Sequence, residues 1–169
     1  MPLFHTKQGF RAALFAIATL VALSGCAGRR GGEALATGLQ RPQGGLAAPI
    51  HHRPVTVSSR FGEPRGDRIH KGIDLQVPAG TPVHATAPGR VTFSGEQRGY
   101  GDVIIIEHGG GLATVYAHLR KRRADAGDEV RRGQHIGDVG RSGNATTDHL
   151  HYEVRVNGVP VDPAPYLPR

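Results

Sequence analysis

Glycine and proline interrupt this chain so often that long regular elements are excluded over most of its length. The 169 residues include 25 glycines and 12 prolines, and in the second two thirds of the chain a turn-forming residue recurs about every 8 to 12 positions. No stretch of this region repeats apolar residues with the i, i+3, i+4, i+7 spacing of an amphipathic helix. The pattern therefore predicts an all-β fold of short, mainly antiparallel strands.

Several short segments have the composition of strands. The run of Val and Ile at 103–106 predicts a buried central strand. Asn157 and Gly158 predict a two-residue hairpin turn, because both central positions of that turn need a positive φ. Prolines after Asp162 are expected to end regular structure. The predicted strands are 55–61, 82–87, 90–95, 102–108, 112–119, 134–139, 149–156 and 159–161.

The segment 149–156 alternates in the manner of a pleated strand and carries two histidines. Residues two apart on a strand point the same way, so His149 and His151 share a face and Tyr152 lies on the other. Neutral imidazole is the commonest protein ligand for metals, which makes this pair a candidate site. The alternative is a surface strand with two solvated histidines, and the pair alone does not decide between them.

A second pair of potential ligands occurs earlier in the chain. His70 and Asp74 are four residues apart, an even offset that returns both to the same face of an extended chain. A helix would also align them, but Gly72 and the β-branched Ile73 weaken a helix. Histidine, carboxylate and histidine suit catalytic zinc, with a fourth position open to water. His118 is a further imidazole at a strand end, where a loop can expose it.

Three motifs, taken in order, resemble the signatures of the M23 (LytM/lysostaphin-type) zinc metallopeptidases. They are His70-x-x-x-Asp74, Tyr116-Ala117-His118-Leu119 and His149-Leu150-His151, and the likeness covers roughly 55–167. The resemblance implies a distorted β-sandwich with a groove that holds one zinc ion. It implies that His70, Asp74 and His151 bind zinc. It also implies that His118 and His149 act beside the metal as catalytic histidines, and leaves open which is the general base.

The same resemblance implies zinc-dependent hydrolysis of peptide bonds in peptidoglycan, with its cross-links as the expected target. One alternative is a non-catalytic LytM-domain lipoprotein that activates cell-wall amidases. Domains of that kind typically lack one or more of the five site residues, all of which are present here. A purely structural zinc domain is the other alternative, and such sites usually have four protein ligands that include cysteine.

The first 25 residues have the features of a secretion signal. Lys7 and Arg11 precede an apolar run at 12–23, which is shorter than the roughly 20 residues that span a bilayer and suits the central region of a signal peptide. The run leads into Leu-Ser-Gly-Cys, ending at Cys26, which resembles the lipobox of bacterial lipoproteins. Cys26 is the only cysteine, and the resemblance implies that it is acylated. An ordinary cleaved signal and a retained anchor are the alternatives.

We therefore expect a lipoprotein signal peptide at 1–25, a lipid-anchored flexible linker at 26–53 and an M23-type peptidase domain at 54–169. The linker composition is rich in glycine and arginine and too poor in large apolar residues to offset the entropy of ordering it. Ala27 follows the cysteine and, by analogy with sorting in enteric-type bacteria, favours the outer membrane facing the periplasm. The expected partners are peptidoglycan and the membrane, and the expected state is a monomer.

The formal charge of +7 falls to +5 if a signal carrying Lys7 and Arg11 and no acid is removed. Basic runs at 120–123 and 131–132 are typical of nucleic-acid patches, but a secreted chain seldom meets nucleic acid, and we expect none as a partner. Anionic envelope polymers or lipid are more suitable ligands. A solvated loop interleaved with acidic residues is the interpretation that we favour.

The remaining histidines carry weaker hypotheses. His51 and His52 lie in the predicted linker, either solvated or as a further metal-binding pair. His84, His108 and His135 are expected on the surface or in a polar part of the core, where one of them can contact a ligand imidazole. His5 falls within the predicted signal.

Overall fold

A computed structural model describes residues 45–52 and 54–168, which lie within one compact unit. Strands dominate this part of the chain, and its one helical element is a 3-10 turn at Ala164–Tyr166. The strands are β1 Thr56–Ser59, β2 Pro64–Arg65, β3 Arg68–Ile69, β4 Ile73–Gln76, β5 Pro82–His84, β6 Gly89–Gln97, β7 Gly101–Glu107, β8 Leu112–Arg122, β9 Glu129–Val130, β10 His135–Val139, β11 Leu150–Val156 and β12 Val159–Val161. None of the residues described here forms a helix long and apolar enough to cross a bilayer.

One antiparallel sheet holds ten of these strands. Its main path runs β1-β4-β11-β8-β7-β6-β9, with β12 paired to β11 and the β5–β10 ribbon joined through β8, while β2 and β3 form a separate hairpin. The predicted all-β, mainly antiparallel fold is thus confirmed. The central strands β8 and β11 are flanked on both sides, and they carry the site described below.

The β5–β10 ribbon covers one face of the central strands. Val83 of β5 and Ile136 of β10 belong to the same buried cluster as Ile104 and Tyr116 of the central strands. Two layers therefore enclose the main core, as in a distorted sandwich. Because side chains alternate across a strand, the neighbours of these core residues point to the other face of the sheet.

A pair of tyrosines fixes how the two central strands align. Tyr116 of β8 and Tyr152 of β11 are direct cross-strand partners, fully buried, with ring centroids 5.4 Å apart. Their hydroxyls lie 2.9 and 3.2 Å from the hydroxyl of Thr86, so the polar tips are satisfied inside the core. The prediction that Tyr152 lies on the face opposite the histidines agrees with this placement.

All the predicted strands overlap strands of the structure, and the predicted hairpin turn is confirmed. Asn157 and Gly158 have φ values of 50° and 79° and join β11 to β12. The sequence patterns missed β4, β9 and the β2–β3 hairpin. These elements are two to four residues long, too short for alternation to be visible. The 3-10 turn at Ala164–Tyr166 lies where prolines were expected to end regular structure.

Residues 45–52, which fall in the predicted linker, pack onto the sheet. Leu46 and Ile50 are buried in the main core cluster, and Ile50 forms a β-bridge with Val83. The backbone N–H of Leu46 donates to the carbonyl of Tyr166 at 3.2 Å. The boundary at 53/54 stays a prediction, but apolar contacts of the fold begin at Leu46 among the residues described. The predicted signal, Cys26 and the rest of the linker lie outside them.

Candidate metal centre and groove

The register of three neighbouring strands brings the predicted ligands together. Asp74 of β4 is paired directly with His151 of β11, and His151 is paired on its other side with Ala117 of β8. Cross-strand partners share a face of the sheet, so the carboxylate and the imidazole project side by side. His70 precedes β4 and reaches the same point from the end of the strand.

Gly72 makes this approach possible. A Cβ at this position would lie 2.2 Å from the carbonyl oxygen of Tyr152 on β11, which no side chain can accommodate without moving the backbone. The glycine lets the segment between His70 and Asp74 lie directly against the central strand. The first motif therefore depends on having glycine at position 72, between its two predicted ligands.

Each of the two histidines predicted as ligands has one ring nitrogen committed as a donor. The carbonyl of Arg60 can only accept, so Nδ1 of His70, at 2.8 Å, carries the proton. Nε2 of His151 lies 3.0 Å from the carboxylate of Glu153 and donates to it. The other nitrogen of each ring, Nε2 of His70 and Nδ1 of His151, faces the same point and carries the lone pair when the ring is neutral.

Asp74 completes a three-ligand group. Its Oδ1 lies 3.1 Å from Nε2 of His70 and 2.8 Å from Nδ1 of His151, and one ligand atom from each residue lies within 4.8 Å of the others. Two imidazole nitrogens and one carboxylate oxygen that converge in this way suit a divalent cation, which would replace any proton held between them. Among residues 45–52 and 54–168, this is the only group of three or more such side chains with that geometry.

Arg65 holds the outer oxygen of the Asp74 carboxylate. Its Nη2 donates to Oδ2 at 2.6 Å and to the hydroxyl of Ser59 at 2.8 Å. Burial alone would raise the pKa of Asp74, but hydrogen bonds from His151, His70 and Arg65 hold that pKa well below its usual range. The carboxylate is therefore ionised at neutral pH, with Oδ1 left to face the imidazoles.

Glu153 supports His151 from behind and was not singled out in the sequence. Its side chain is fully buried and accepts hydrogen bonds from His151, from the Tyr100 hydroxyl at 2.7 Å and from Nε of Arg155 at 2.7 Å. Burial raises the pKa of Glu153, and these donors outweigh it and lower the pKa overall. Alternation along β11 places Glu153 on the face of His149 and His151, and this pattern could have identified Glu153 from the sequence.

Burial also acts on His151, in the direction of a lower pKa. The carboxylates of Asp74 and Glu153 more than compensate and raise its pKa above the ordinary value. A cation at Nδ1 would compete with that proton, because metal ligands must be deprotonated.

The two predicted catalytic histidines lie next to the ligands. His149 precedes β11, and its Nε2 is 3.7 Å from Oδ1 of Asp74. The ring centroid of His118 is 4.8 Å from that of His149 and 5.8 Å from that of His151. All five predicted side chains thus surround one point, and their catalytic and ligand roles stay predictions.

His118 reaches the groove through an unusual backbone conformation. Strict alternation along β8 would turn it towards the tyrosine side of the sheet, since Ala117 is the partner of His151. Its φ of +62° breaks the alternation and points the ring at the ligands. A positive φ costs a non-glycine residue about 1–2 kcal/mol, and such strain is typical of functional positions.

Both histidines bind a backbone carbonyl through Nδ1, which leaves Nε2 facing the groove. Nδ1 of His118 donates to the carbonyl of Ser142, and Nδ1 of His149 donates to the carbonyl of Thr147, both at 2.8 Å. Burial lowers the pKa of His118 to about 4, so its ring is neutral at pH 7. Nε2 of His118 is therefore able to accept a proton from a molecule bound in the groove.

The five side chains form part of the lining of an open groove of about 410 Å³. One wall consists of Ser58, Ser59 and the β2–β3 hairpin. The other is formed by the turn at 98–100 and by the loop 144–147. A volume of several hundred Å³ suits a peptide-sized ligand.

The remaining histidines of the structure lie apart from this centre. His108 bonds to Pro88 and Thr114, while His51, His84 and His135 form a ring stack on the far ribbon. None of the four contacts a ligand imidazole. The additional metal pair considered at His51 and His52 does not form a ligand group in the part of the chain that the structure describes.

Two of the four basic residues in the first basic run pair with neighbouring acids. Arg122 pairs with Asp102 at 2.9 Å and Arg123 pairs with Asp138 at 2.8 Å. This pairing supports the interpretation of a solvated, charge-balanced segment over that of an anion-binding patch.

Comparison with known proteins concerns the same part of the chain. The family model described as peptidase family M23 matches residues 68–163, a range that contains all five site residues. A DD-carboxypeptidase/endopeptidase, Mpg, of Neisseria meningitidis serogroup B is 50% identical over 96 residues, which are 57% of this chain and 22% of that protein. This chain therefore spans about a fifth of that relative.

Two further similarities concern a lipoprotein and a solved structure. The lipoprotein NlpD/LppB homolog of Pseudomonas aeruginosa is 40% identical over 115 residues, covering 68% of this chain and 38% of its own length. A zinc containing peptidase from Vibrio cholerae has a TM-score of 0.65 and 32% identity, with 70% of this chain and 39% of that one covered.

Proposed function

The chain belongs to peptidase family M23, and from that membership we propose that it is a zinc metalloendopeptidase that hydrolyses peptide bonds of peptidoglycan, with the cross-links as its target. The observation that carries the proposal is the convergence of possible ligand atoms from His70, Asp74 and His151, beside the imidazoles of His118 and His149, in an open groove. A peptidoglycan DD-endopeptidase, ShyC of Vibrio cholerae, is among the relatives, at 36% identity over 124 residues.

Zinc fits the donor set, since two imidazole nitrogens and one carboxylate oxygen leave a tetrahedral position open. When bound there, the ion supplies a Lewis acid that activates water and polarises the scissile carbonyl. Residues of the chain do the rest. One Nε2, of His118 or His149, accepts the proton of the attacking water. The other ring would donate a hydrogen bond to the developing oxyanion in the state in which its own Nε2 carries a proton.

The backbone contacts of these two rings are part of the mechanism. Ser142 and Thr147 carbonyls hold the Nδ1 protons of His118 and His149, which fixes the tautomer and aims both Nε2 atoms into the groove. The rings need no reorientation before a proton moves. Preorganisation of this kind lowers the barrier because no dipoles have to rearrange during the reaction.

The alternative of a non-catalytic, amidase-activating lipoprotein is disfavoured by the site itself. Such a protein would not need a buried carboxylate behind a ligand histidine, or a strained His118 turned towards the ligands. One relative is described as a lipoprotein NlpD/LppB homolog, so this alternative is one of the outcomes of the test below.

Acylation of Cys26 would place the domain at the membrane. The relatives described as lipoproteins support this part of the proposal, together with the lipobox-like sequence, and we assign the domain to the periplasmic face of the outer membrane. Cys26→Ser should move the protein from the membrane fraction to the soluble fraction on immunoblots. Unchanged fractionation would contradict lipidation.

The activity is tested with the full chain carrying Cys26→Ser, loaded with zinc and incubated with purified sacculi. Mass analysis of the released muropeptides should show cleaved peptide bonds, and a chelator should abolish their release. His149→Ala should retain zinc and reduce release by at least about 100-fold, as expected for loss of general acid–base catalysis. Full activity of that variant would remove His149 from the mechanism, and no release by the parent protein would favour the activator alternative.

A further inference from the structure

The groove has a strongly cationic rim that the proposed mechanism does not use. Arg65, Arg68, Lys71 and Arg98 all line it together with the five site residues. Arg68 is 75% exposed, and Lys71 and Arg98 are exposed as well. Among the described residues, neither Lys71 nor Arg98 takes part in an ion pair. Their charges therefore face whatever occupies the groove.

The acids that line the groove do not neutralise these cations. Asp74 is directed at the metal position, and Glu153 is fully buried between His151, Tyr100 and Arg155. Asp67, at the tip of the β2–β3 hairpin, approaches Arg68 at 3.6 Å, but both side chains are well exposed. Exposed pairs of this kind contribute little.

The cations stand on both sides of the candidate metal position. Arg68 and Lys71 belong to the β2–β3 hairpin and the segment leading into β4, on one side of β11. Arg98 belongs to the turn between β6 and β7, on the other side of β11 and β8. The neighbouring loop at 144–147 contributes only neutral residues to the lining.

Arg65 differs from the other three, because its guanidinium is already bound to Asp74 and Ser59. The cations available to a ligand are thus Lys71 and Arg98, which have no ion pair among the described residues, and Arg68, whose contact with Asp67 is exposed. A divalent ion at the centre would make the groove still more positive. Walls of one charge focus the field into a cleft and raise the local concentration of oppositely charged ligands.

We propose that the groove selects a peptide with free carboxylates on both sides of the scissile bond, one received by Lys71 and Arg68 and the other by Arg98. This inference rests on the proposed function and specifies its substrate class. A carboxylate gains a charge-assisted hydrogen bond at each wall, whereas a carboxamide of the same shape leaves the cations without a counter-ion. Amidation of the stem peptides is therefore expected to weaken binding.

The test compares two fluorescently labelled, cross-linked peptides that differ only in carrying carboxylates or carboxamides beside the scissile bond. Dissociation constants are measured by anisotropy with the zinc-loaded full chain carrying His149→Ala, and kcat/KM is measured with the chain that keeps His149. Arg98→Gln and Lys71→Gln each remove one cation of the rim. Arg131→Gln is the matched control, since Arg131 is exposed but lies outside the groove lining.

We expect the carboxamide peptide to bind about tenfold more weakly than the carboxylate peptide, the usual effect of losing a hydrogen bond between charged groups. Arg98→Gln and Lys71→Gln should each reduce that preference, and Arg131→Gln should keep it. Equal affinities for the two peptides, or an equal loss with Arg131→Gln, would overturn the inference. Cleavage of both peptides at equal kcat/KM would overturn it while upholding the peptidase. Selective binding without any cleavage would uphold the inference and refute the peptidase.

Discussion

Two groups of histidines lie close together in this molecule, and only one of them has the properties of a metal centre. The inner group is His70 and His151, whose ring centroids are 4.9 Å apart. The outer group, here called the outer stack, is His51, His84 and His135, with centroid distances of 4.1 and 5.8 Å between successive rings. The spacing of the rings therefore does not distinguish the inner group from the outer stack.

The difference lies in where the lone pairs point. In the inner group, Nδ1 of His70 donates to the Arg60 carbonyl and Nε2 of His151 donates to the Glu153 carboxylate. The second nitrogen of each ring lies close to Oδ1 of Asp74. In the outer stack the His51 ring lies face to face with His84 and the His135 ring is tilted against His84 by 41°. Nδ1 of His84 is buried without a hydrogen-bond partner among the described residues. The nearby Asp138 is held by Arg123 and His135. Convergence of acceptors, rather than histidine density, distinguishes a ligand set.

The largest expected effect follows from removing one histidine from each group. His151→Ala should lose tight zinc binding, because it removes one of three ligands and leaves Glu153 without its imidazole partner. His84→Ala should bind one zinc ion per chain with the affinity of the parent. Equilibrium dialysis with metal analysis measures both.

The two variants also provide each other's control. If His151→Ala retained tight zinc while His84→Ala lost it, the assignment of the metal centre would be reversed. If the parent bound two zinc ions and each variant bound only one, the outer stack would be a second site, in conflict with the geometry described above.

The motifs predicted the inner group because its chemistry is local in sequence. His70 and Asp74 are four residues apart. His149 and His151 are two apart at the start of a strand whose alternating pattern is visible in the sequence. Each pair could be recognised within a few residues. The order of the motifs then indicated the family, and with it the role expected for each side chain.

What could not be predicted depends on contacts between distant segments. Arg65 reaches Asp74 from a hairpin whose strands are two residues long, and the pairing of Asp74 with His151 is a matter of register. The positive φ of His118 runs against alternation, so the pattern of its own strand points the ring the wrong way. His51 joined the outer stack because apolar residues just before it, Leu46 and Ile50, are buried.

A smaller effect is expected from Glu153→Gln, which sharpens the contrast between the two groups. The glutamine keeps the shape but removes the charge that orients His151 and raises the basicity of its ring. Loss of such a partner typically weakens metal binding by about 10–100-fold. Zinc affinity should be measured by competition with a chelating dye, which reports binding without any reference to activity.

Glu129→Gln is the matched control for this substitution, because Glu129 is exposed on β9 and pairs only loosely with Arg90, at 3.6 Å. It should leave the zinc affinity unchanged. An affinity of Glu153→Gln equal to that of the parent would mean that the buried carboxylate serves the fold alone, and the Tyr100–Glu153–Arg155 contacts would then have to be explained by packing.

The smallest expected effect concerns the outer stack, whose buried imidazole should make stability depend on pH. Burial, followed by the nearby His51 and His135, lowers the pKa of His84 below its ordinary value of 6.5. The unfolded chain therefore takes up a proton that the folded chain resists. The stabilisation by neutral His84 is fully present above pH 6.5 and is lost as the pH falls towards the lowered pKa of the folded state.

In urea unfolding with a chelator present, His84→Phe keeps a ring for stacking but cannot titrate, so its free energy of unfolding should decline less than that of the parent between pH 7.5 and 5.5. His52→Phe, at an exposed neighbouring position, should follow the parent, and parallel curves for all three proteins would show that the outer stack has no energetic coupling to pH.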